Sequence, residues 1–251
     1  MNRGDQGERR AGRARRRLTQ VLVSSAVIAT VLAACGGAYA YWRHSKALAV
    51  ARCVRDGGDP GALPVVGPGT FTTARGEGAP VGSGSKLRRY KVQVEDGIGI
   101  PADSAAREIA GILGDPRGWS RDGVDAFQLV GSGPRDFIIK IATPHTVDCL
   151  CGSAGLDTGG EVNCSIGRSV VVNLRRWVQG SPEFDGPLAD YRALIVNHEV
   201  GHRIGHGHET CPAAGRPAPA MMQQIKGLHG CTANAWPYDR AGTYLGGPRV
   251  P

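Results

Sequence analysis

The chain has 251 residues and a formal net charge of +8. Residues 1–17 contain seven arginines against two acidic residues, so this tail carries +5 and residues 18–251 carry only +3. The basic excess is therefore a property of the tail, which argues against a folded nucleic-acid-binding domain, and we expect no nucleic-acid partner. A hydrophobic content of 41% excludes a chain that is disordered throughout.

A long segment without charged residues follows this tail. Residues 18–42 are 25 consecutive uncharged positions, and about 20 apolar residues are enough for a helix to cross a bilayer. Tyr39, Tyr41 and Trp42 lie where an interfacial aromatic belt is expected, and the preceding arginines favour a cytoplasmic location for residues 1–17. The pattern predicts a single-pass anchor in the cell membrane, with the C-terminal domain extracytoplasmic.

Two alternatives remain open for the same segment. Ala38-Tyr39-Ala40 fits a signal-peptidase site, which would make the protein secreted. Leu32-Ala33-Ala34-Cys35 resembles a lipobox, which would make Cys35 the lipid-modified N-terminus of a lipoprotein. All three interpretations place the remaining chain outside the cytoplasm.

The composition changes twice after the membrane segment. Residues 43–85 are rich in glycine, proline and small side chains, and such a stretch buries little apolar surface, which predicts a flexible spacer. Residues 86–240 show the apolar periodicity of a folded domain and are numerous enough for one core. Residues 241–251 are predicted to form a C-terminal tail.

The folded region begins with alternating apolar and polar residues. Residues 90–94 alternate in this way, which indicates a strand with one buried face. A helix capped by Asp103 and stopped by Gly114 is predicted next. Three more strands are predicted, at residues 127–130, 137–141 and 168–174. A hairpin or tight turn at Gly131-Ser132-Gly133-Pro134 joins the first two of these.

A helix motif carries the strongest chemical signal. His198 and His202 are four residues apart, so on a helix both imidazoles lie on one face and can reach one metal ion. Glu199 points about 100° away around the helix and can act as a general base without ligating the metal. Gly205 can end the helix in the left-handed conformation, after which His208 can supply a third ligand.

Three neutral imidazoles leave one position of a Zn²⁺ ion open for water, which is typical of a catalytic site. In this interpretation zinc activates the water and polarises a peptide carbonyl, while Glu199 accepts the proton of the water. His206 lies in the same segment and is an alternative third ligand. The spacing from Gly205 favours His208.

The pattern His198-Glu199-x-x-His202-x-x-Gly205-x-x-His208 resembles the metzincin clan of zinc endopeptidases. That clan has a methionine turn beneath the zinc, and Pro219-Ala220-Met221-Met222-Gln223-Gln224 follows at a suitable distance. The resemblance assigns the Met-turn role to Met221, with Met222 as the alternative. Over about residues 85–240 the chain also resembles an uncharacterised family of bacterial anchored or secreted proteins, catalogued as a domain of unknown function.

The resemblance to metzincins implies an α+β fold. The expected domain is metzincin-like (a zincin), with a small twisted mixed sheet and an active-site helix, preceded by a single transmembrane helix and a disordered stalk. In that clan the last strand of the sheet is an antiparallel edge along the cleft, and a free edge can pair with an extended peptide. By this resemblance the substrate-binding edge strand is assigned to the backbone of Val170, Val171, Val172 and Asn173.

Six cysteines lie outside the membrane segment, and an even number favours disulfides in an oxidising compartment. Cys211 and Cys231 bracket the predicted Met-turn, and Cys151 and Cys164 bracket the loop before the predicted edge strand, so these two pairs are the predicted disulfides. An alternative makes Cys211 a fourth zinc ligand. The two cysteines left over are paired with each other or free: Cys53 and Cys149.

These features together predict a membrane-tethered extracellular zinc endopeptidase. It is expected to be a monomer, attached to the membrane through residues 18–42, that hydrolyses peptide bonds in a peptide or protein substrate. Zn²⁺ is the expected cofactor and Glu199 the general base. The alternative is a non-catalytic, zinc-stabilised binding module of the cell envelope. Glu199 favours the enzyme, because a purely structural zinc site has no need of a glutamate between its histidines.

Overall fold

The computed structural model describes residues 63–250 of the chain. These residues form an α+β domain with a mixed sheet, as the sequence predicts. The predicted membrane segment, residues 18–42, lies outside the described residues. Within residues 63–250 the structure contains no helix with the length and apolar character that a membrane crossing requires.

Six strands form the sheet. Their bounds are Phe71–Thr73 (β1), Lys86–Glu95 (β2), Asp125–Leu129 (β3), Phe137–Ala142 (β4), Cys164–Ile166 (β5) and Ser169–Asn173 (β6). The main order is β1-β2-β4-β6-β5, and β3 pairs with β2 beside this path. Strands β2, β3, β4 and β6 are parallel, whereas β1 and β5 run antiparallel to their neighbours.

Helices connect the parallel strands and cover the sheet, because a parallel pair needs a long crossover. The α-helices in this part of the chain are Ala102–Gly114 (α1), Pro144–Gly152 (α2), Leu174–Gln179 (α3) and Leu188–Ile204 (α4), with 3₁₀ turns at Trp119–Asp122 and Gln224–Lys226. Buried apolar residues of β2, β4 and β6 pack with α1 and α4 into the main core. A smaller apolar cluster lies between α2, β5 and the other face of β6.

The two strands that the sequence predicts as a possible hairpin do not pair with each other. Strands β3 and β4 both pair in parallel with β2, at residues 86–90 and 90–94 respectively, so they lie on opposite edges of that strand. The segment Gly131-Ser132-Gly133-Pro134 is therefore a crossing connection rather than a hairpin loop. The local turn signal is real, but the pairing partner is set by the 10-residue strand β2, which is far away in sequence.

Part of the predicted spacer belongs to the folded domain. Residues 71–73 form β1, which pairs with the C-terminal end of β2, and Ala74 is buried in the main core. The backbone N–H of Val81 donates to the carbonyl oxygen of Phe127 at 2.8 Å. The expectation of a spacer that extends to residue 85 is thus wrong for this stretch, because backbone pairing with the sheet compensates for its glycine-rich composition.

Strand β6 is not the edge of the sheet, so the role assigned to Val170, Val171, Val172 and Asn173 is corrected. It pairs with β4 on one side and with β5 on the other. Its consecutive valines are fully buried, which is typical of a strand covered on both faces. The antiparallel edge is β5, joined to β6 by the two-residue loop Gly167-Arg168. Gly167 has a φ of 49°, as tight hairpin loops require.

Candidate metal centre

Three histidines converge at the C-terminal end of α4. The Nε2 atom of His202 lies 3.2 Å from that of His198 and 3.1 Å from that of His208. Nitrogen ligands bound to one tetrahedral zinc ion at 2.0–2.1 Å lie about 3.3 Å apart. The ligand atoms of all three side chains lie within 4.8 Å of one another, and the group can hold a metal ion.

The glycine of the motif explains how the third histidine reaches the other two. Gly205 follows the last residue of α4 with a φ of 105°, a conformation that a residue with a side chain rarely adopts. The N–H of His206 then donates to the carbonyl oxygen of Gly201 at 2.9 Å, which closes the helix end. The chain reverses direction, and His208 lies against the helix face that carries His198 and His202.

Backbone carbonyl groups orient the two helix histidines. The Nδ1 atom of His198 lies 2.9 Å from the carbonyl oxygen of Ala220, and that of His202 lies 3.0 Å from the carbonyl oxygen of His206. A proton on Nδ1 leaves the Nε2 lone pair available for a metal. Burial lowers the pKa of His198 from 6.5 to about 3 and also lowers the pKa of His202. Both rings are therefore neutral at pH 7, as ligation requires.

His206, the alternative third ligand, points elsewhere. Its ring stacks on Trp119 with ring centres 4.1 Å apart. The indole N–H of Trp119 in turn donates to the carbonyl oxygen of Asn197 at 2.7 Å. The ring of His206 is thus part of a packed aromatic contact, and His208 occupies the third position.

Glu199 lies beside the three histidines without belonging to the ligand group. Its side chain is 5% exposed and borders the cavities around His198. Burial raises the pKa of Glu199 from 4.5 to about 8, so without a metal the carboxyl group holds its proton at neutral pH. A nearby cation favours the charged form of a carboxyl group. A bound metal would therefore lower the pKa of Glu199 and favour its carboxylate form.

The methionine predicted for the Met-turn lies under the ligand helix. Met221 is fully buried in the main core, with its sulfur against Gly201 of α4. Met222 packs instead into a separate small cluster with Cys231. The neighbouring Ala220 supplies the carbonyl group that orients His198. The turn and the ligand helix are therefore in direct contact.

The predicted disulfides are present. Cys211 pairs with Cys231, and Cys151 pairs with Cys164. Because Cys211 is oxidised, the alternative that makes it a thiolate ligand of the metal is wrong. Cys149 is also disulfide-bonded, and Cys53, the other cysteine left over, lies outside the described residues.

A cleft of about 610 Å³ runs over the histidines. One wall is formed by residues 162–165, which include the start of β5, and another by Gln223 and Lys226. No strand among residues 63–250 pairs with the outer side of β5. A second cavity of about 70 Å³ lies next to His198 and Glu199. We call this second cavity the side chamber.

Sequence patterns missed several of these parts. The edge strand β5 is only three residues long, and the two orienting carbonyl groups belong to the backbone, which leaves no residue-type signal. Gln223 borders the cleft and the side chamber, at the position two residues after Met221. The hairpin signal Gly167-Arg168 between two short apolar stretches could have identified β5.

Comparison with known proteins gives a family without an assigned activity. Residues 57–239 match the family described as protein of unknown function (DUF3152), and the chain belongs to that family. This agrees with the predicted resemblance to a domain of unknown function. No curated protein and no solved structure matches the chain.

Proposed function

We propose that the chain is a zinc-dependent endopeptidase of metzincin type, held outside the cytoplasm by residues 18–42. The observation that carries this proposal is the buried Glu199 beside three convergent histidines. A structural site closes with a fourth protein ligand, whereas three histidines leave one position open. Imidazole ligands suit zinc among the common divalent ions.

The mechanism follows from the positions of the chain's own groups. His198, His202 and His208 would hold the zinc ion, which would supply a Lewis acid for the peptide carbonyl group and lower the pKa of water. The Glu199 carboxylate accepts a proton from the attacking water, whose oxygen forms a bond to the carbonyl carbon. Glu199 then gives that proton to the leaving nitrogen as the C–N bond breaks, acting first as base and then as acid.

The neutral ligand set favours this chemistry. The carbonyl oxygens of Ala220 and His206 hold the two helix imidazoles by Nδ1, so neither ring rotates away when the metal leaves or binds. The low pKa of His198 keeps its lone pair free of a proton well below neutral pH. The ligand group is therefore ready for metal without a conformational change in α4.

The substrate in this proposal is an extended peptide along β5. No strand in the described part of the chain pairs with the outer edge of Cys164–Ile166, and residues Cys164 and Ser165 border the cleft that contains the histidines. An extended chain can add to such an edge as a further strand. In this proposal a peptide bond lies over the histidines and one neighbouring side chain lies at the side chamber.

The resemblance to metzincins supports the proposal in two respects. The antiparallel edge strand that the resemblance implies is supplied by β5, beside the cleft. The methionine that it implies beneath the metal is supplied by Met221, against α4. Many metzincins have a tyrosine two residues after the methionine. Gln223 stands at that position here, so transition-state stabilisation from that position differs in this chain.

A peptide library assayed with the full chain tests the proposal. The protein is purified in detergent with its disulfides intact, stripped of metal, and reloaded with Zn²⁺. Cleavage is read by mass spectrometry, and metal content is measured in parallel. We expect one zinc per chain and cleavage only in the loaded sample. One zinc per chain with no cleavage of any peptide would favour the non-catalytic binding module instead.

A further inference from the structure

The third histidine has no helix to hold it. His208 follows the helix end at Gly205, so its position depends on contacts made by the loop. Those contacts come from two sides. The N–H of Glu209 donates to the carbonyl oxygen of Met221 at 3.1 Å. On the other side, a segment 40 residues further along the chain runs antiparallel to His208–Thr210.

This segment, Tyr244–Val250, is called the clamp segment below. The N–H of Val250 donates to the carbonyl oxygen of His208 at 3.0 Å, and the N–H of Thr210 donates to the carbonyl oxygen of Pro248 at 2.9 Å. One of these hydrogen bonds is made by the residue before Glu209 and the other by the residue after it. The backbone of the third ligand is therefore fixed directly by the clamp segment.

The side chain of Glu209 strengthens the same contact. Its carboxylate is largely buried, with the residue 9% exposed. One oxygen accepts from the hydroxyl of Tyr244 at 2.8 Å, and the other accepts from the N–H of Gly247 at 3.0 Å. Hydrogen bonds to a charged acceptor are about twice as strong as neutral ones. Glu209 thus joins the residue after the ligand to two points of the clamp segment.

Close approach of the clamp segment depends on a glycine. A Cβ atom at Gly247 would overlap the carbonyl oxygen of Thr210 and lie 3.0 Å from Pro219. Only glycine allows the backbone to approach at this distance. The clamp segment is therefore packed tightly between the ligand loop and the start of the Met-turn.

The clamp segment also packs against the aromatic pair next to the second ligand. The ring of Tyr244 lies 6.4 Å from that of Trp119, which stacks on His206. The carbonyl oxygen of His206 orients His202. Tyr244 therefore lies beside the stacked rings of Trp119 and His206, and His206 belongs to the segment between the second and third ligands.

We infer that Glu209 and the clamp segment are positioning elements that preorganise His208 for metal binding. A loop ligand that is already ordered costs no further conformational entropy when the metal binds. Loss of a group that orients a metal ligand typically weakens metal affinity about 10- to 100-fold. The clamp segment lies beyond residues 57–239, the part that matches the family. The inference rests on the metal site of the proposed function and is independent of peptidase activity.

The test is the zinc affinity of Glu209→Ala in the full chain. The dissociation constant is measured at pH 7 by competition with a fluorescent chelator, and we expect it to rise about 10- to 100-fold. The absorption spectrum of the Co²⁺-loaded protein is recorded as well, since it reports ligand number and geometry. We expect weaker tetrahedral bands in the variant than in the parent.

Glu95→Ala is the matched control. Glu95 is also a buried carboxylate that joins distant segments, accepting from the N–H groups of Gly69 and Thr143 and the hydroxyl of Thr146. Its loss should lower the thermal midpoint of the zinc-free protein and leave zinc affinity unchanged. This separates a general loss of stability from a loss of ligand positioning.

Tyr244→Phe covers the case in which Glu209→Ala does not fold. It removes one hydrogen bond to Glu209 and should weaken zinc binding by about three- to tenfold. Unchanged zinc affinity in the folded variants would overturn the inference. A parent chain that takes up no zinc would overturn the metal site and the inference together. A parent that binds zinc but cleaves no peptide would overturn only the peptidase proposal.

Discussion

The sulfur atom of Met221 occupies the space that a side chain at Gly201 would need. A Cβ atom at Gly201 would overlap this sulfur and lie 2.9 Å from Trp119. Gly201 lies in α4 between the two helix ligands, and the carbonyl oxygen before Met221 orients His198. The helix that supplies His198 and His202 is therefore in close contact with the turn that orients His198.

Replacing Gly201 by alanine should destabilise the protein. Alanine favours a helix by about 1 kcal/mol over glycine, but forcing a methyl group into a filled core typically costs about 1–3 kcal/mol. We expect the overpacking to prevail, because the atoms that the methyl group meets belong to buried Met221 and Trp119. The free energy of unfolding of the zinc-free protein, measured with denaturant, checks this.

Gly111→Ala is the control for this substitution. Gly111 lies in α1, and a Cβ atom there would meet nothing within 4 Å. Only the higher helix propensity of alanine then affects stability, so the free energy of unfolding should rise by about 0.5–1 kcal/mol. If both variants were stabilised, the close packing of Met221 against Gly201 would be refuted.

His208→Ala should lose metal whereas His206→Ala should keep it. His208 contributes its Nε2 atom to the ligand group, whereas the ring of His206 stacks on Trp119 and only its backbone carbonyl group serves the site. Alanine retains that carbonyl group. Zinc content per chain after dialysis distinguishes the two variants. Full occupancy in His208→Ala together with loss in His206→Ala would reverse the ligand assignment.

The ligands could be predicted from sequence because their geometry is local. Helical spacing places His198 and His202 on one face, and the glycine at Gly205 permits the reversal that brings in His208. All three lie within 11 residues of one another. The Cys211–Cys231 pair was predictable for a related reason, since the two cysteines flank the turn that follows the ligands.

The remaining parts depend on contacts between distant residues. The partner of β3 and β4 is β2, and nothing in the turn between them encodes that choice. The clamp segment was predicted to be a tail, since its glycine and proline content indicates no regular structure. In the structure, however, the N–H of Val250 donates to the carbonyl oxygen of His208. The resemblance to metzincins implies an edge strand but does not show which strand it is. Because β5 has only three residues and was not predicted, its role was assigned to β6.

The contribution of Glu199 to the stability of the zinc-free protein should fall as the pH rises from 4.5 to 8. Burial raises the pKa of Glu199 from 4.5 to about 8, so the folded state binds this proton more tightly than the unfolded state. The resulting stabilisation is complete below pH 4.5 and is lost as the pH rises through 8. Denaturant unfolding of the zinc-free parent and of Glu199→Gln at several pH values measures it.

The difference in the free energy of unfolding between the parent and Glu199→Gln isolates the contribution of the Glu199 carboxyl group. Burial lowers the pKa of His198 from 6.5 to about 3, so its own contribution is lost as the pH falls from 6.5 towards 3, which is the opposite direction. That contribution is common to the parent and Glu199→Gln and cancels in the comparison. A constant difference in stability between pH 4.5 and 8 would show that Glu199 is not buried as described.

The side chamber should select compact aliphatic side chains next to the cleaved bond. Its volume of about 70 Å³ is small beside the 610 Å³ of the cleft, which favours a compact side chain over a large aromatic one. The walls include the apolar side chains of Leu194 and Ile225, and Gln224 directs its amide to the backbone of Pro219 and Asn234.

Peptides that differ at one position measure this preference through kcat/KM. Leucine should be favoured over tryptophan by at least about tenfold, since a hydrophobic pocket discriminates by roughly 10- to 200-fold for small differences in size. Ile225→Ala enlarges the side chamber, so the ratio of kcat/KM for leucine over tryptophan should move closer to one. Leu150→Ala, a partly buried residue of α2 outside the chamber, is the control. Equal rates for leucine and tryptophan in the parent would refute the assignment.

Glu199→Gln should abolish peptide hydrolysis while zinc stays bound. Glutamine has nearly the same shape as glutamate but cannot accept the proton of the attacking water, and loss of a general base typically costs about 100- to 10,000-fold in rate. Zinc affinity should change little, because Glu199 lies outside the ligand group. The measurement pairs kcat on a cleaved library peptide with zinc content per chain.

Glu108→Gln is the control, since its carboxylate pairs with Arg192 away from the cleft and its loss should leave the rate unchanged. Hydrolysis at the parent rate by Glu199→Gln would mean that another group takes the proton.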